Sequence, residues 1–434
     1  VNFDGWTPDE QDSTPRFDRK NGPYIPITSA VFPMKRRAIY RLSEISSSNE
    51  IRELNTLINN GSPKGIITAG TTFLSVMDVL KDSPQKPDIL KTALVYPLQM
   101  DVIRQFLNSH DEVKILEELD DFIEQAIKKE AFDAGIKCRI TGKMSVEDHI
   151  GEFTPDKVRE ILSRDWPGIV KPSADGPVTA KTPARPPQMC PGCGHRSAFY
   201  AIKKALKETD IKVGDIGCHT LGFLPPYNMV ELLMSMGAST GIASGLALFN
   251  NSRKVVCFLG DSTFFHAGAA GIVNAIFNRH DITLILMENG TTAMTGHQEH
   301  PATGRNFDEI TERIPVRQML EGMGVKKILE VDTYNQKKLT EAVTEAVAYE
   351  GLSVVIAKHP CMLKFTKAQK RKSDAPVRQV SVDTSSCDRS YECINRFACP
   401  TFYRNSDGTV TINKDLCIGD GSCIQTCPVN AIKY

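Results

Sequence analysis

The stretch VVCFLGDSTFFHAGAAGIVNAIFNRHDITLILMENGT (255–291) decides how this chain is read. VVCFLG (255–260) is an unbroken apolar run closed by Gly260, Asp261 and Ser262, and ITLILM (282–287) is a second run closed by Glu288-Asn289-Gly290-Thr291. HAGAAGIVNAIFNRH (266–280) between them predicts a helix. Strands without polar alternation, joined through a helix, belong to a parallel sheet buried on both faces, the doubly wound α/β arrangement. Adjacent parallel strands end side by side, so Asp261 and Asn289 are expected in one crevice. A carboxylate, an amide oxygen and a main-chain carbonyl such as that of Thr291 make half of an octahedral magnesium site, the rest suiting phosphate oxygens and water. Gly260 gives a diphosphate room at the backbone, and a helix starting near Phe265 offers its N-terminus to negative charge. Ordinary turn duty for Asp261 and Asn289 is the competing reading of the same spacing.

Working outward, KKILEV (326–331) and SVVIAK (353–358) add strands and KKLTEAVTEAVAYE (337–350) a helix, giving one α/β domain over 190–363. A second α/β domain is predicted over 36–165, where GIITAG (65–70), ILKTALVYPL and VKILEEL alternate with the helical FLSVMDVL, DVIRQFLNSH and DFIEQAIKK. Residues 1–35 read as an extended N-terminal arm, and 166–189, with six prolines, as a linker. The basic run KFTKAQKRK from Lys364 to Lys372 opens a second linker (364–379), expected to be solvated, before a terminal domain over 380–434.

Ten of the twelve cysteines fall into three sets. The terminal domain reads Cys387-x2-Ser390-x2-Cys393-x5-Cys399-Pro400, then Cys417-x2-Asp420-x2-Cys423-x3-Cys427-Pro428. This resembles the ground plan of bacterial two-cluster ferredoxins, an α+β fold in which the last cysteine of each motif ligates the other cluster. The resemblance implies Cys387, Cys393 and Cys427 for one iron–sulfur cluster and Cys417, Cys423 and Cys399 for the other. The second cysteine of each triplet is replaced, by Ser390 and by Asp420. Each cluster is therefore expected as 4Fe–4S with one oxygen ligand or as 3Fe–4S, because oxygen is the harder and weaker partner for this iron. Further upstream, Cys190-Pro-Gly-Cys193 precedes a helix, Cys218 follows a strand, and Cys361 lies just past the strand SVVIAK. If strand ends converge, these four thiols meet at one sheet edge and suit a third, proximal 4Fe–4S cluster, with zinc as the alternative. Cys138 and Cys257 stand apart and read as buried structural thiols.

The composition excludes several classes. Lysine plus arginine balance aspartate plus glutamate at 52 each, which removes any electrostatic case for nucleic-acid or membrane binding. No apolar run reaches membrane-spanning length, and VNFDGWTPDEQDSTPRF lacks the form of a signal peptide. Cysteines at metal-binding rather than disulfide spacing point to a reducing cytoplasm.

GDSTFFHAGAAGIVNAIFNRHDITLILMENGTTAMTGHQEHP is similar to the thiamine-diphosphate motif, GD followed at a distance by Asn. With CPGCGHRSAFYAIKKAL (190–206), GDIGCHTLG (214–222), MGASTGIASGL (236–246) and the ferredoxin-like end, the chain resembles the alpha subunit of indolepyruvate:ferredoxin oxidoreductase, within the 2-oxoacid:ferredoxin oxidoreductases. The resemblance covers nearly the whole chain from about residue 30. It implies a transketolase C-terminal-like fold for 36–165, thiamine diphosphate with magnesium held by Asp261, Asn289 and the Thr291 carbonyl, a diphosphate lined by Gly260 and Ser262, and a proximal cluster on Cys190, Cys193, Cys218 and Cys361. The implied reaction is oxidative decarboxylation of a 2-oxoacid, an aryl pyruvate in this family, to an acyl-CoA. Electrons would leave through the clusters to an external ferredoxin. The family's alpha subunit starts with a domain that binds the aminopyrimidine and carries its activating Glu. Residues 1–35 do not supply it, so a partner chain or domain is expected, beside a second oxidoreductase subunit. Of the histidines flanking these motifs, His195, His219 and His266 are the candidate proton donors, ahead of His297, and Thr263, Phe264 and Phe265 are candidate pocket wall. A non-redox thiamine decarboxylase, which has no use for the cysteines, and an electron-transfer subunit with a relict thiamine site are the rival readings.

Overall fold

The computed structural model describes residues 25–172, 185–250, 252–306, 309–371 and 378–434. The chain divides into two compact units at 183/184.

In the first unit β1 (Thr56–Ile58), β2 (Lys64–Ala69), β3 (Asp88–Thr92), β4 (Glu112–Leu116) and β5 (Arg139–Thr141) form a sheet in the order β1-β3-β2-β4-β5. All neighbours are parallel except β1 with β3. Successive residues of β2 enter opposite cores: Ile66 packs with Val76, Leu116 and Trp166, and Ile67 with Leu90, Ile103 and Ile115. That is the period-two consequence of a strand covered on both faces.

Three boundaries differ from expectation. The arm predicted for 1–35 becomes, within the described residues, a helix from Thr28 to Ser47, because its later part (MKRRAIYRLSEI) is rich in helix formers. The predicted linker 166–189 starts inside the core, since Trp166 and Val170 are buried among Val158, Ile161 and Leu162. Its middle, 173–184, lies outside the described residues, as do 372–377 of the basic linker. The run beginning at Lys364 is helical as far as Lys370, within the helix Met362–Lys370; it is largely exposed as expected, and its Lys364 Nζ pairs with Glu299 at 3.1 Å.

The second unit is built on β6 (Ile211–Val213), β7 (Val255–Gly260), β8 (Thr283–Glu288), β9 (Lys327–Asp332) and β10 (Ser353–Lys358), all parallel, in the order β6-β7-β8-β10-β9. Val255, Cys257 and Leu259 join one core with Leu284, Leu286, Val354 and Ile356. Val256 and Phe258 join the other with Ile285, Met287, Val355 and Ala357. Truncating one such side chain to Ala costs about 2–5 kcal/mol. The register sets Gly260 of β7 opposite Met287 and Lys358 of β10 opposite Glu288, so three strands end level and the loops after them share one edge.

The terminal domain belongs to this second unit. Its regular structure is slight: β11 (Ser381–Val382) pairs antiparallel with β14 (Ile432–Lys433), and β12 (Phe402–Arg404) with β13 (Val410–Ile412). Its core includes Cys393, Cys399 and Cys423 together with Phe397, Phe402, Val410 and Ile432, has Cys387, Cys417 and Cys427 packed against it, and borrows Tyr200 from the helix Gly194–Ala205. Tyr200 crosses Phe397 edge to face at 5.6 Å and donates to Glu392 at 3.0 Å. A core this small ordinarily needs covalent or metal staples.

Candidate active site

Asp261 directly follows β7 as the first residue of the short helix Asp261–Thr263 and is 2% exposed. Its carboxylate accepts hydrogen bonds from the amides of Ser262 (2.9 Å), Asn289 (3.0 Å) and Gly290 (2.7 Å), so it clamps the β7 loop to the β8 loop. Gly260, Asp261, Ser262, Asn289 and Thr291 line one cavity of ≈ 90 Å³ with His195, His219, Cys218, Ile216 and Met236. Every residue proposed for magnesium or diphosphate contact is thus gathered, and the donors are hard oxygens of the kind that magnesium selects. Thr263 also lines this cavity, whereas Phe264 is fully buried in the sheet's core.

The histidines separate by position. His195 and His219 lie ring to ring at 6.0 Å, both buried, and both nitrogens of His195 and Nε2 of His219 have no hydrogen-bond partner among the described residues. Burial holds the His195 imidazole down to about 4, and burial together with His195 holds His219 to about 3. Both rings are therefore neutral near pH 7, with unpaired nitrogens at a cavity wall. Space for His219 comes from two glycines: a Cβ at Gly217 would stand 2.5 Å from its Cε1 and one at Gly260 3.3 Å. His266 is a correction. It sits exposed on the π-helical turn Phe264–Gly268, which turns Phe264 inward and leaves His266 facing solvent, away from the cavity.

Two residues at this site carried no sequence-level role. His300 is buried with Nε2 3.3 Å from the Asp261 carboxylate, its Nδ1 facing the Ala302 amide at 3.3 Å and its ring stacked on Phe265. Asp215 is buried and accepts from the amides of Ile216 (2.8 Å), Gly237 (2.8 Å) and Ser239 (3.0 Å), tying the loop that bears Cys218 and His219 to the helix Ser239–Ala247.

Beside the first cavity lies a second of ≈ 430 Å³, walled by Cys190, Cys193, Cys218 and Cys361 with Pro187, Met189, Leu221 and Met362. His195, Cys218, Asn289, Ala293 and Met294 line both cavities. Cys361 reaches the edge through β10, and its amide donates to the Asn289 carbonyl at 2.9 Å. Burial pushes the thiols of Cys190, Cys193 and Cys218 up, Cys218 to about 11, and the neighbouring cysteines push Cys190 and Cys218 the same way. Thiols that crowd one another in an apolar wall want a cation to deprotonate onto, which is the chemistry of a metal-sulfur centre. Among the described residues no three His, Cys, Asp or Glu side chains are drawn together around a single point.

In the terminal domain Cys387, Ser390, Cys393 and Cys427 line one small cavity. Cys423 lies among Asp420, Cys399 and Cys417, and burial followed by those neighbours raises its thiol. Cys427 of the second motif thus lies with the first, and Cys399 of the first with the second. The loops repeat one backbone pattern: Arg389 and Tyr391 flank Ser390 with positive φ (59° and 54°), as Gly419 and Gly421 flank Asp420 (68° and 72°). Alternating left-handed residues turn successive amides into an anion-binding concavity, and for Arg389 and Tyr391 this conformation costs about 1–2 kcal/mol each. Of the two isolated cysteines, Cys257 is buried as expected. Cys138 is only half-buried, at the rim of the first unit's core, because β5 is an edge strand.

The Cys417 set abuts the Cys190 set. Tyr334 donates to the Gly192 carbonyl at 2.7 Å, a Cβ on Gly192 would meet the Asp420 carboxylate at 3.1 Å, and Gln336 donates to the Ser422 carbonyl at 3.0 Å.

Residues 215–357 match the family described as thiamine pyrophosphate enzyme, C-terminal TPP binding domain, and residues 410–433 match the 4Fe-4S binding domain. The chain is 34% identical over 432 residues to indolepyruvate oxidoreductase subunit IorA of Methanothermobacter marburgensis, covering 96% of this chain and 68% of that protein. It is 33% identical over 430 residues to IorA of Archaeoglobus fulgidus, with the same coverage. A more distant likeness, 23% over 40% of this chain and 70% of the relative, is to 2-oxoglutarate synthase subunit KorB of Archaeoglobus fulgidus. With a thiamine-diphosphate domain and a 4Fe–4S domain in one oxidoreductase chain, this protein belongs to the indolepyruvate oxidoreductase subunit IorA family.

Proposed function

We propose that the chain catalyses its part of the oxidative decarboxylation of an aryl pyruvate such as indolepyruvate, passing electrons singly through three iron–sulfur centres to an external ferredoxin while coenzyme A takes the acyl group. The observation that carries this reading is the common wall of the thiamine cavity and the four-cysteine cavity, made by His195, Cys218, Asn289, Ala293 and Met294. A non-redox decarboxylase has no need of that adjacency.

When bound, thiamine diphosphate supplies the carbon nucleophile that takes up the 2-oxoacid, and iron–sulfur clusters supply one-electron carriage. Asp261, Asn289 and the Thr291 carbonyl hold magnesium, and Gly260 and Ser262 border the diphosphate. Asp261 also fixes the two loops through backbone amides, so the metal ligands are positioned before the cofactor arrives. His195 and His219, neutral and unpaired, can accept a proton at a ring nitrogen and return it to the substrate oxygen. Met236, Met287 and Met294 give the cavity its apolar wall, which disfavours water. The Cys190 set would hold the cluster nearest the thiamine cavity and the Cys399–Cys417–Asp420–Cys423 set the one beside it, since Gly192 of the first set lies against Asp420 of the second; the Cys387–Ser390–Cys393–Cys427 set would hold the third, and together they would supply one-electron carriage away from the thiamine site. Asp261 is the one carboxylate among the described residues lining the thiamine cavity, and it is engaged with amides, so the Glu that activates the aminopyrimidine is assigned to a partner chain or domain.

Asp261→Ala tests the site. The expected outcome is loss of thiamine diphosphate, read by HPLC of the denatured protein, with iron and acid-labile sulfide retained. Full cofactor retention in that variant would remove Asp261 from the site.

A further inference from the structure

Arg196, the third residue of the helix Gly194–Ala205, is 2% exposed, and among the described residues no carboxylate forms an ion pair with it. Its guanidinium lies in a cage of neutral oxygens. Nη1 donates to the Tyr227 hydroxyl (2.8 Å) and to the Phe397 (3.3 Å) and Ala398 carbonyls, and Nη2 donates to the Met189 and Cys190 (3.4 Å) carbonyls. Nε has no partner. Met189 and Cys190 lead into the Cys190–Cys193 loop, and Phe397 and Ala398 lead into Cys399. The guanidinium therefore joins the backbone of the loop that presents Cys190 and Cys193 to that of the turn that presents Cys399.

A buried cation without an anionic partner is costly, because carbonyl dipoles replace only part of its hydration. The groups that would become anionic around it are the thiolates of two different cysteine sets. Each thiolate-ligated cluster carries net negative charge that grows by one on reduction, so two such centres side by side repel each other most when both are reduced. We infer that Arg196 is the shared counter-ion of the Cys190-set and Cys399-set clusters, a positioning and redox-tuning residue whose buried charge stabilises their reduced states and whose carbonyl bonds couple the terminal domain to the catalytic one. The third set, with Cys387, Cys393 and Cys427, lies outside this cage and is not tuned by it.

The inference rests on the clusters proposed above, and iron and sulfide content of the native complex tests that reading separately. The test of Arg196 is an anaerobic redox titration followed by EPR on the complex carrying Arg196→Gln, Arg196→Lys or Tyr227→Phe. Arg196→Gln removes the charge but keeps an amide donor. It is expected to move two of the three midpoint potentials to more negative values and to leave the third in place. Arg196→Lys, which keeps the charge, should stay near the native potentials, and so should Tyr227→Phe, which removes only a neutral contact of the cage. Native potentials in a fully loaded Arg196→Gln would overturn the inference, as would an equal shift of all three centres. If Arg196→Gln cannot be loaded, Arg196→Lys decides: loading at native potentials supports the counter-ion. Failure of the Lys variant to load reduces Arg196 to a clasp that only a guanidinium fork can make.

Discussion

At the scale of single residues, the two substituted ligand positions are the most exposed to experiment. Asp420 accepts from the Ser422 amide at 2.9 Å and from its hydroxyl, while Ser390 stands exposed at its cavity. An iron held there by oxygen, or by nothing, is the one least tied to the chain. Air exposure of the purified protein should therefore generate a 3Fe signal at g of about 2. Asp420→Cys should suppress the share of that signal belonging to its own cluster; equal signals in the two proteins would exclude Asp420 from the cluster. Legibility in the sequence also divides at this scale. Asp261, Asn289 and the ten cysteines could be read because their chemistry sits at strand ends or in tight loops, where local order implies spatial order. His300 could not, since only the fold of the 291–300 loop brings it back to Asp261. Arg196 was inside a quoted motif, but its partners Phe397 and Ala398 lie two hundred positions away, and no local pattern encodes that.

Among elements, the buried parallel strands β2, β4, β7, β8 and β10 were readable to within a few residues, because apolar runs covered on both faces leave little ambiguity. The three-residue strands β1, β5 and β6 were too short to leave a pattern and were not expected. The helices at domain edges were not readable either. The Met362–Lys370 helix has the composition of a solvated linker, and its role in closing the 291–299 loop through Lys364 depends on a tertiary ion pair. In the first unit the turn Val146–His149 is clamped to the helix Pro155–Asp165 through Asp148, which is 1% exposed and 2.8 Å from Arg164. Burial alone would raise the Asp148 carboxyl, but bonds from Arg164, Met144 and Ser145 outweigh it and hold the group well below the usual carboxylate range. A folded-state value below the unfolded one, about 3.9, contributes stability that is present above that pH and lost as pH falls towards the folded value. Melting of the first unit, followed by the fluorescence of buried Trp166, should thus drop in Tm below about pH 4. Asp148→Asn should lose about 1–3 kcal/mol at pH 7 and show a smaller acid-dependent drop, since hydrogen bonds to a charged group are worth this much. An identical acid profile in the variant would assign the acid response to other groups.

In the molecule as a whole, one chain would hold a thiamine site and an electron-accepting cysteine set across a common wall, so that substrate electrons would enter the clusters of this chain first. The shared lining by His195, Cys218 and Asn289 is the feature that supports this reading over that of a decarboxylase with appended clusters. The most direct measurement is EPR of the anaerobic, fully loaded complex, freeze-quenched after addition of an aryl pyruvate without coenzyme A or external acceptor. The account predicts reduced-cluster signals within the first turnover in the native protein and none in Asp261→Ala. A native complex with full thiamine diphosphate and iron that released CO2 while its clusters stayed oxidised would contradict it.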